Sequence, residues 1–223
     1  MRIKAALLCV ALAAAPLQAQ ETAATTADAR AVIAAVLAHQ ASIRGPESGA
    51  ETCVQVALAG PPVAPGTAAD EDPLQPDHSV RIYFQWHVPD APPPVRALPP
   101  PPDPSQNGRR NRQRAAPPPP PPAALDQATA EHLNALRTQA ARTPAAPALA
   151  EIDAPLITPP LRLQRPNDDC ATLTFSTPAF AGDAAFVEFA YACGTVCGNG
   201  GLYALQRRDG RWMPVGIADI WIR

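Results

Sequence analysis

The sequence predicts an α+β fold: a curved antiparallel sheet of five to six strands with two helices on one face, interrupted by a proline-rich disordered insert. Two segments have the 3.6-residue apolar period of amphipathic helices, and several others alternate apolar and polar residues as half-buried strands do. A glycine- and tryptophan-rich block, residues 186–223, has the pattern of a three-stranded meander. Three such strands are stable only when other elements pack on them, so we expect the helices to cover the sheet.

Residues 1–19 predict a secretory signal peptide. Arg2 and Lys4 supply the positive charge, residues 5–15 the apolar core and Leu17-Gln18-Ala19 the cleavage motif. The apolar core is too short to span a bilayer. We therefore expect a bacterial periplasmic or secreted protein with no transmembrane segment after cleavage.

Residues 20–90 are predicted to form the first half of a single domain. A helix is expected over residues 25–40, where Thr25 and Asp28 can form a capping box. His39 lies off the apolar stripe of this helix and is expected to be solvated. The stripe consists of Ala29, Val32, Ile33, Val36 and Leu37.

Two strands are predicted to follow this helix. Residues 51–59 alternate moderately, and residues 80–88 carry the clearest alternation in the chain, with Ile82, Phe84 and Trp86 on one side. Pro89 ends the second strand, because proline cannot donate to a ladder.

Residues 91–122 are predicted to be a disordered insert. This stretch holds 14 of the chain's 30 prolines, and proline runs favour extended polyproline II with no apolar face to bury. The alternative is that semi-rigid proline arms present an arginine cluster to anionic material of the cell envelope, such as lipid phosphates. These candidate anion-binding residues are Arg109, Arg110, Arg112 and Arg114.

Residues 123–223 are predicted to complete the domain. Asp126 caps a second helix over residues 126–141, with His132 at the edge of its apolar face. A short strand at residues 160–164 and an alternating strand at 170–175 follow. The run Asn167-Asp168-Asp169 is read as a turn, with too few regularly spaced oxygen ligands for calcium.

The closing meander is predicted from its turn residues. Glycines 194, 198, 200 and 201 indicate a tight or bulged connection. Strands are expected on both sides of Asp209-Gly210, a dipeptide typical of type I′ hairpins. Pro214 and Gly216 predict an edge or a bulge within the last strand.

Four cysteines remain after signal cleavage. An even number in an exported protein favours two disulfides, for which three connectivities exist. We favour Cys53–Cys170 with Cys193–Cys197. A zinc site or a thiol redox site at Cys193 and Cys197 is the alternative, although histidines 39, 78, 87 and 132 lack a matching ligand spacing and the cysteine spacing exceeds the thioredoxin-like one.

The C-terminal block resembles an uncharacterised group of exported bacterial proteins with a Cys-Gly-x-x-Cys-Gly type of spacing, a Gly-x-Trp turn and a terminal Trp. The resemblance spans residues 176–222 and implies an exported α+β domain, with no activity attached. The group usually ends in Trp-x-Ser, whereas this chain ends in Trp221-Ile222-Arg223. The matching residues are Ser176, Phe180, Tyr191, Cys193, Gly194, Cys197, Gly198, Gly200, Leu205, Gly210, Trp212, Val215 and Trp221.

The residues favour a non-enzymatic module over an enzyme. The formal net charge of −2 argues against nucleic-acid binding, and the common nucleophile, metalloprotease and nucleotide motifs are not found. We assign no catalytic residue, metal or cofactor, and expect a binding or accessory module whose partner is an envelope component or another protein. The alternative is a small periplasmic hydrolase or ligand-binding enzyme with a pocket between helix and sheet, in which Glu188, Asp219 or His87 acts.

Overall fold

The computed structural model describes residues 24–44, 51–62, 64, 80–81, 84–89, 122–143, 149–194 and 197–222. The predictions for residues 1–19 and for Arg109, Arg110, Arg112 and Arg114 lie outside them, as does the insert apart from Pro122. The elements in chain order are α1 (Thr26–Arg44), β1 (Thr52–Val54), β2 (Val80–Arg81), β3 (Trp86–His87), α2 (Gln127–Ala140), a 3₁₀ turn (Ala154–Leu156), β4 (Leu161–Leu163), β5 (Ala171–Phe175), β6 (Ala179–Ala181), β7 (Ala184–Ala192), β8 (Gly198–Arg208) and β9 (Arg211–Ile222).

One mixed sheet joins all the described strands. Its order is β2-β9-β8-β7-β5-β1-β4, with β3 beside β2 along β9 and β6 beside β5 along β7. The α+β class is confirmed, but the sheet has nine strands rather than five or six. In the described residues, neither helix is long and apolar enough to cross a membrane.

The prediction of an antiparallel sheet is wrong for one part of the sheet. Strand β1 is parallel to both β4 and β5, with Cys53 opposite Arg162 on one side and Thr172 on the other. Parallel neighbours require a long crossover connection, and here more than a hundred residues separate β1 from its partners. All three residues of β1 are buried. The order of apolar and polar residues in a strand does not show whether its neighbours run parallel or antiparallel to it, so the sequence of β1 carried no sign of its direction.

The amphipathic pattern of α1 places the helix on one face of the sheet. Its predicted stripe is fully buried, together with Gln40. The predicted capping box is also confirmed: the backbone N–H of Asp28 donates to Thr25 Oγ1, and the N–H of Thr25 donates to the Asp28 carboxylate, both at 3.1 Å. The helix continues to Arg44, four residues beyond the predicted end.

Helix α2 packs on the opposite face, so the prediction of two helices on one face is wrong. On β7, Val187 and Phe189 join the core beneath α1, whereas Phe186 joins the core that contains Leu133 and Ala140 of α2. Successive residues of a strand point to opposite faces, and both faces of β7 are apolar. The sheet is therefore the middle of three layers. Asp126 caps α2 as predicted, accepting a hydrogen bond from the N–H of Thr129.

The clearest predicted strand, residues 80–88, is broken into two short pieces. Strands β2 and β3 both pair with β9, through Val80 opposite Ile222 and Trp86 opposite Ala218. Residues 82–83 lie outside the described part of the chain. The predicted strands at 160–164 and 170–175 are found as β4 and β5, and Leu173 and Phe175 are fully buried as their alternation indicates.

Three of the four glycines that predicted a tight or bulged connection lie inside β8, and the register of β8 against β9 shifts between Gly200 and Gly201. Gly198, Gly200 and Gly201 pair with Ala192, Ala190 and Phe189 of β7. A Cβ on Gly200 would collide with the indole ring of Trp221, and one on Gly201 would lie 2.6 Å from Cε1 of Phe189. These glycines leave room for aromatic rings that lie over the strand, and the rings restore the packing that a glycine loses.

The hairpin and bulge predictions for the last two strands are confirmed. Asp209 and Gly210 both have positive φ, 50° and 74°, as a type I′ turn requires. The register of β8 against β9 shifts between Ala204 and Leu205, which pair with Gly216 and Pro214. The bulge accommodates the proline, which cannot donate a ladder hydrogen bond.

We predict that Gly200→Ala destabilises the protein by about 1–3 kcal/mol, the usual cost of forcing atoms into a packed core. The added methyl group must displace Trp221, which is 1% exposed. Urea unfolding of the purified domain measures the change. Gly60→Ala is the matched control, because a Cβ there meets no atom within 4 Å. Equal stability of both variants would contradict the packing described for Trp221.

Candidate functional site

The cysteines pair as favoured from the sequence. The Cα atoms of Cys53 and Cys170 are 5.9 Å apart, and those of Cys193 and Cys197 are 5.2 Å apart, distances usual for disulfides. The first bridge joins buried β1 to the residue that precedes β5. The second closes the loop between β7 and β8. Two disulfides therefore staple this small domain.

Asp168 lies beside the first disulfide, within a group that could in principle hold a metal: Cys53, Asp168 and Cys170. Both cysteines are bonded to each other, so neither offers a thiolate. The carboxylate instead accepts hydrogen bonds from the Arg162 side chain and from the N–H of Arg165. The hydrogen bond from Arg162 lowers the pKa of Asp168. These hydrogen bonds to Asp168 close the predicted turn at residues 167–169, in which Asn167 has a φ of 68°.

The carboxylates considered for acid/base chemistry lie on opposite faces of the sheet. Glu188 is opposite Leu202, and Asp219 is opposite Gly201. Neighbouring positions along a strand point to opposite faces, so these two carboxylates cannot act together across one cleft. Glu188 is 1% exposed and is therefore buried.

His87 shares a face with Asp219 rather than with Glu188. It is opposite Ile217, which lies two positions before Asp219 on β9. Diagonal neighbours of this kind have backbones about 7–8 Å apart. Of the three residues considered for an enzyme, His87 and Asp219 are therefore the two that the strand register places on the same face of the sheet.

A polar cluster lies where the C-terminal end of α1 meets β7 and β8; we call it the helix-end cluster. It consists of His39, Gln40, Arg44, Tyr191 and Tyr203. The hydroxyl of Tyr203, which is fully buried, lies 2.8 Å from Nδ1 of His39 and accepts a 2.8 Å hydrogen bond from Nε2 of Gln40. A hydroxyl has a single proton. Because the Tyr203 oxygen accepts the hydrogen bond from Gln40, its own proton can be donated to Nδ1 of His39. Burial raises the pKa of Tyr203 well above its ordinary value.

Arg44 closes the helix-end cluster towards the surface. Its Cζ lies 4.1 Å from the centre of the Tyr191 ring, a cation–π distance. Its Nε is shielded from solvent and has no hydrogen-bond partner. Burial lowers the pKa of Arg44, and the adjacent Tyr191 and Tyr203 oppose that shift. The guanidinium remains charged at neutral pH.

The helix-end cluster was not predicted from the sequence. His39 was expected to be solvated but is half-buried against Tyr203, so that expectation is wrong. The signal was present: Val36, Gln40 and Arg44 continue the apolar stripe at four-residue spacing. Polar residues that keep the helical spacing of an apolar stripe indicate that the helix continues and that its buried face there meets polar side chains of the sheet.

The described residues on each side of the insert pair with each other; we call this short ladder the insert stem. The N–H of Val88 donates to Ala123 O at 2.8 Å, and the N–H of Leu125 donates to Trp86 O at 3.0 Å. His87 and Ala124 form an antiparallel bridge between these bonds. The chain therefore leaves and re-enters the domain at adjacent points on the β3 edge.

Comparisons with models of known protein families, with curated proteins and with solved structures found no match.

We predict that the two disulfides contribute unequally to stability. They close rings with sequence separations of 117 and 4 residues. In the chain-entropy model these separations correspond to about 5 and about 2 kcal/mol. Urea unfolding of Cys53→Ala/Cys170→Ala and of Cys193→Ala/Cys197→Ala measures the losses. A larger loss for the second pair would mean that the 193–197 loop supports the fold through contacts rather than chain entropy.

Proposed function

We propose that this protein is an exported, non-enzymatic binding or accessory module of the cell envelope. The observation that carries the proposal is the insert stem. Because the chain segments on the two sides of the insert are hydrogen-bonded to each other, the fold is continuous across the point where the insert is attached. The domain acts as a scaffold, and the insert is the part that meets a partner.

The scaffold is suited to an exported location. Three layers bury both faces of the sheet, and disulfides persist in oxidising compartments such as the periplasm and the medium. The signal-peptide pattern of residues 1–19 and the resemblance of residues 176–222 to exported bacterial proteins support the same location.

The arginines of the insert supply the binding chemistry. Arg109, Arg110, Arg112 and Arg114 lie within six residues of one another, between two proline runs. Each arginine near an anionic membrane surface contributes about 1 kcal/mol of attraction. Four of them therefore give about 4 kcal/mol, provided that proline segments hold them away from the domain's own carboxylates.

The test is binding of the mature protein to vesicles of anionic phospholipid, with vesicles of zwitterionic lipid as reference. We predict that replacing all four arginines by Gln weakens binding to anionic vesicles by about a thousandfold, the equivalent of about 4 kcal/mol. Binding should also weaken as salt rises, because exposed charges are screened. Sedimentation of the vesicles with bound protein measures both effects.

The matched control replaces four exposed arginines of the scaffold, Arg142, Arg165, Arg208 and Arg211, by Gln. The net charge change is the same, but binding should be largely retained. A second variant replaces residues 91–121 by a short Gly-Ser linker, which the adjacent ends at Val88 and Ala123 allow. This variant should fold normally and lose binding. Equal binding by the insert and scaffold variants would reject the proposal.

A small hydrolase is the second candidate, and the observation that favours it is the position of His87 and Asp219 on one face of adjacent strands. A histidine near a carboxylate can act as a general base. The check is a panel of chromogenic ester, glycoside and phosphate substrates. An activity that His87→Asn and Asp219→Asn both abolish would support this candidate, whereas an activity that survives both substitutions would remove it.

A further inference from the structure

Arg44 is a charged residue whose surroundings do not compensate it. No carboxylate in the described part of the chain lies within ion-pair distance of its guanidinium, whereas Arg30, Arg162 and Arg207 each have an acidic partner. The shielded Nε also donates no hydrogen bond. Removing a charge from water is costly unless it is paired, so this arrangement is unfavourable by itself.

The neighbours of Arg44 reduce this cost only in part. The side chain of Tyr191 offers a cation–π contact, worth about 0.5–2 kcal/mol, and a hydrogen bond to the guanidinium, and the carbonyl groups at the end of α1 attract a cation. Neither supplies a negative charge. Arg44 as a whole is half-buried, and of its guanidinium nitrogens only Nε is both shielded from solvent and without a hydrogen-bond partner, so a ligand would bind through the terminal nitrogens.

The elements that hold Arg44 are fixed. Tyr191 lies two residues before Cys193, whose N–H donates to Cys197 O at 3.1 Å within the disulfide loop. Gln40, one turn before Arg44, is tied to Tyr203. The aromatic base and the helix end are therefore held in place before any ligand arrives, which reduces the entropy lost on binding.

We propose that Arg44, on the ring of Tyr191, forms a binding site for a single carboxylate group. A guanidinium presents parallel N–H groups that match two carboxylate oxygens. One unit of positive charge balances one carboxylate, whereas a phosphate dianion would leave negative charge in a half-buried site. The ligand is of the class of a peptide C-terminus or an N-acylated amino acid. This site is separate from the insert and independent of the proposed function.

The test uses the mature protein, labelled with ¹⁵N, and N-acetylglycine as the probe. The shielded Nε–H of Arg44 should exchange slowly enough to give a resonance, assigned by its loss in Arg44→Gln. We expect N-acetylglycine to shift this resonance in a saturable manner. N-acetylglycinamide, which has the same shape without the charge, should leave it unchanged.

Two variants separate binding from stability. Arg44→Lys keeps the charge but loses the planar fork, and Arg44→Gln loses both. We expect the affinity for N-acetylglycine, measured by calorimetry, to fall at least tenfold in Arg44→Gln and by an intermediate factor in Arg44→Lys. Exposed Arg142→Gln is the control and should bind as the unchanged protein does.

Several outcomes would overturn the carboxylate site. They are absence of saturable binding in the unchanged protein, an equal response to the amide, and unchanged affinity in Arg44→Gln. Tighter binding of inorganic phosphate than of N-acetylglycine would also overturn it, because the site would then be a general anion site. Loss of thermal stability in Arg44→Gln without carboxylate binding in the parent would assign Arg44 to helix capping alone. The vesicle experiments on the insert do not depend on any of these results.

Discussion

The two apolar faces of the β7–β8 ladder are the constraint from which the rest of the structure follows. Val187, Phe189 and Tyr203 require cover on one side, and Phe186 and Leu202 require it on the other. Burial of apolar surface is the main favourable contribution to folding. One helix cannot cover both faces, so α1 and α2 lie on opposite sides of the sheet, and the insert falls in the connection between edge strand β3 and helix α2.

Helix α1 is matched in length to the strand beneath it. Asp28 pairs with Arg207 near one end of β8, and Arg44 lies over Tyr191, which is opposite Asn199 near the other end. From Asp28 to Arg44 the helix advances about 24 Å, and from Arg207 to Asn199 the strand spans about 26 Å. Polar contacts at both ends therefore fix the position of the helix along the strand.

The two proposed binding regions lie in different parts of this scaffold. The insert stem lies on the β3 edge, where residues 86–88 meet residues 123–125. The helix-end cluster lies beside the Cys193–Cys197 loop, where Gly198 and Gly200 allow Trp221 to lie over the start of β8. The spacing of the cysteines and glycines in residues 193–200 follows the closure of this disulfide loop and the packing of one aromatic ring over glycines.

Local rules determined much of the structure from sequence alone. Several features depend only on residues that are close together in the sequence: the capping box of Thr25 and Asp28, the stripe of α1, the Asp209-Gly210 turn and the bulge near Pro214. The pairing of the cysteines could also be predicted, because four cysteines allow only three connectivities. Tertiary structure decided the rest. The parallel direction of β1 depends on a crossover of more than a hundred residues, and the placement of glycines 198, 200 and 201 in a strand depends on Trp221 and Phe189. The helix-end cluster depends on which strand α1 meets, because Arg44 and Tyr191 are 147 positions apart in the sequence and only the folded sheet brings them together.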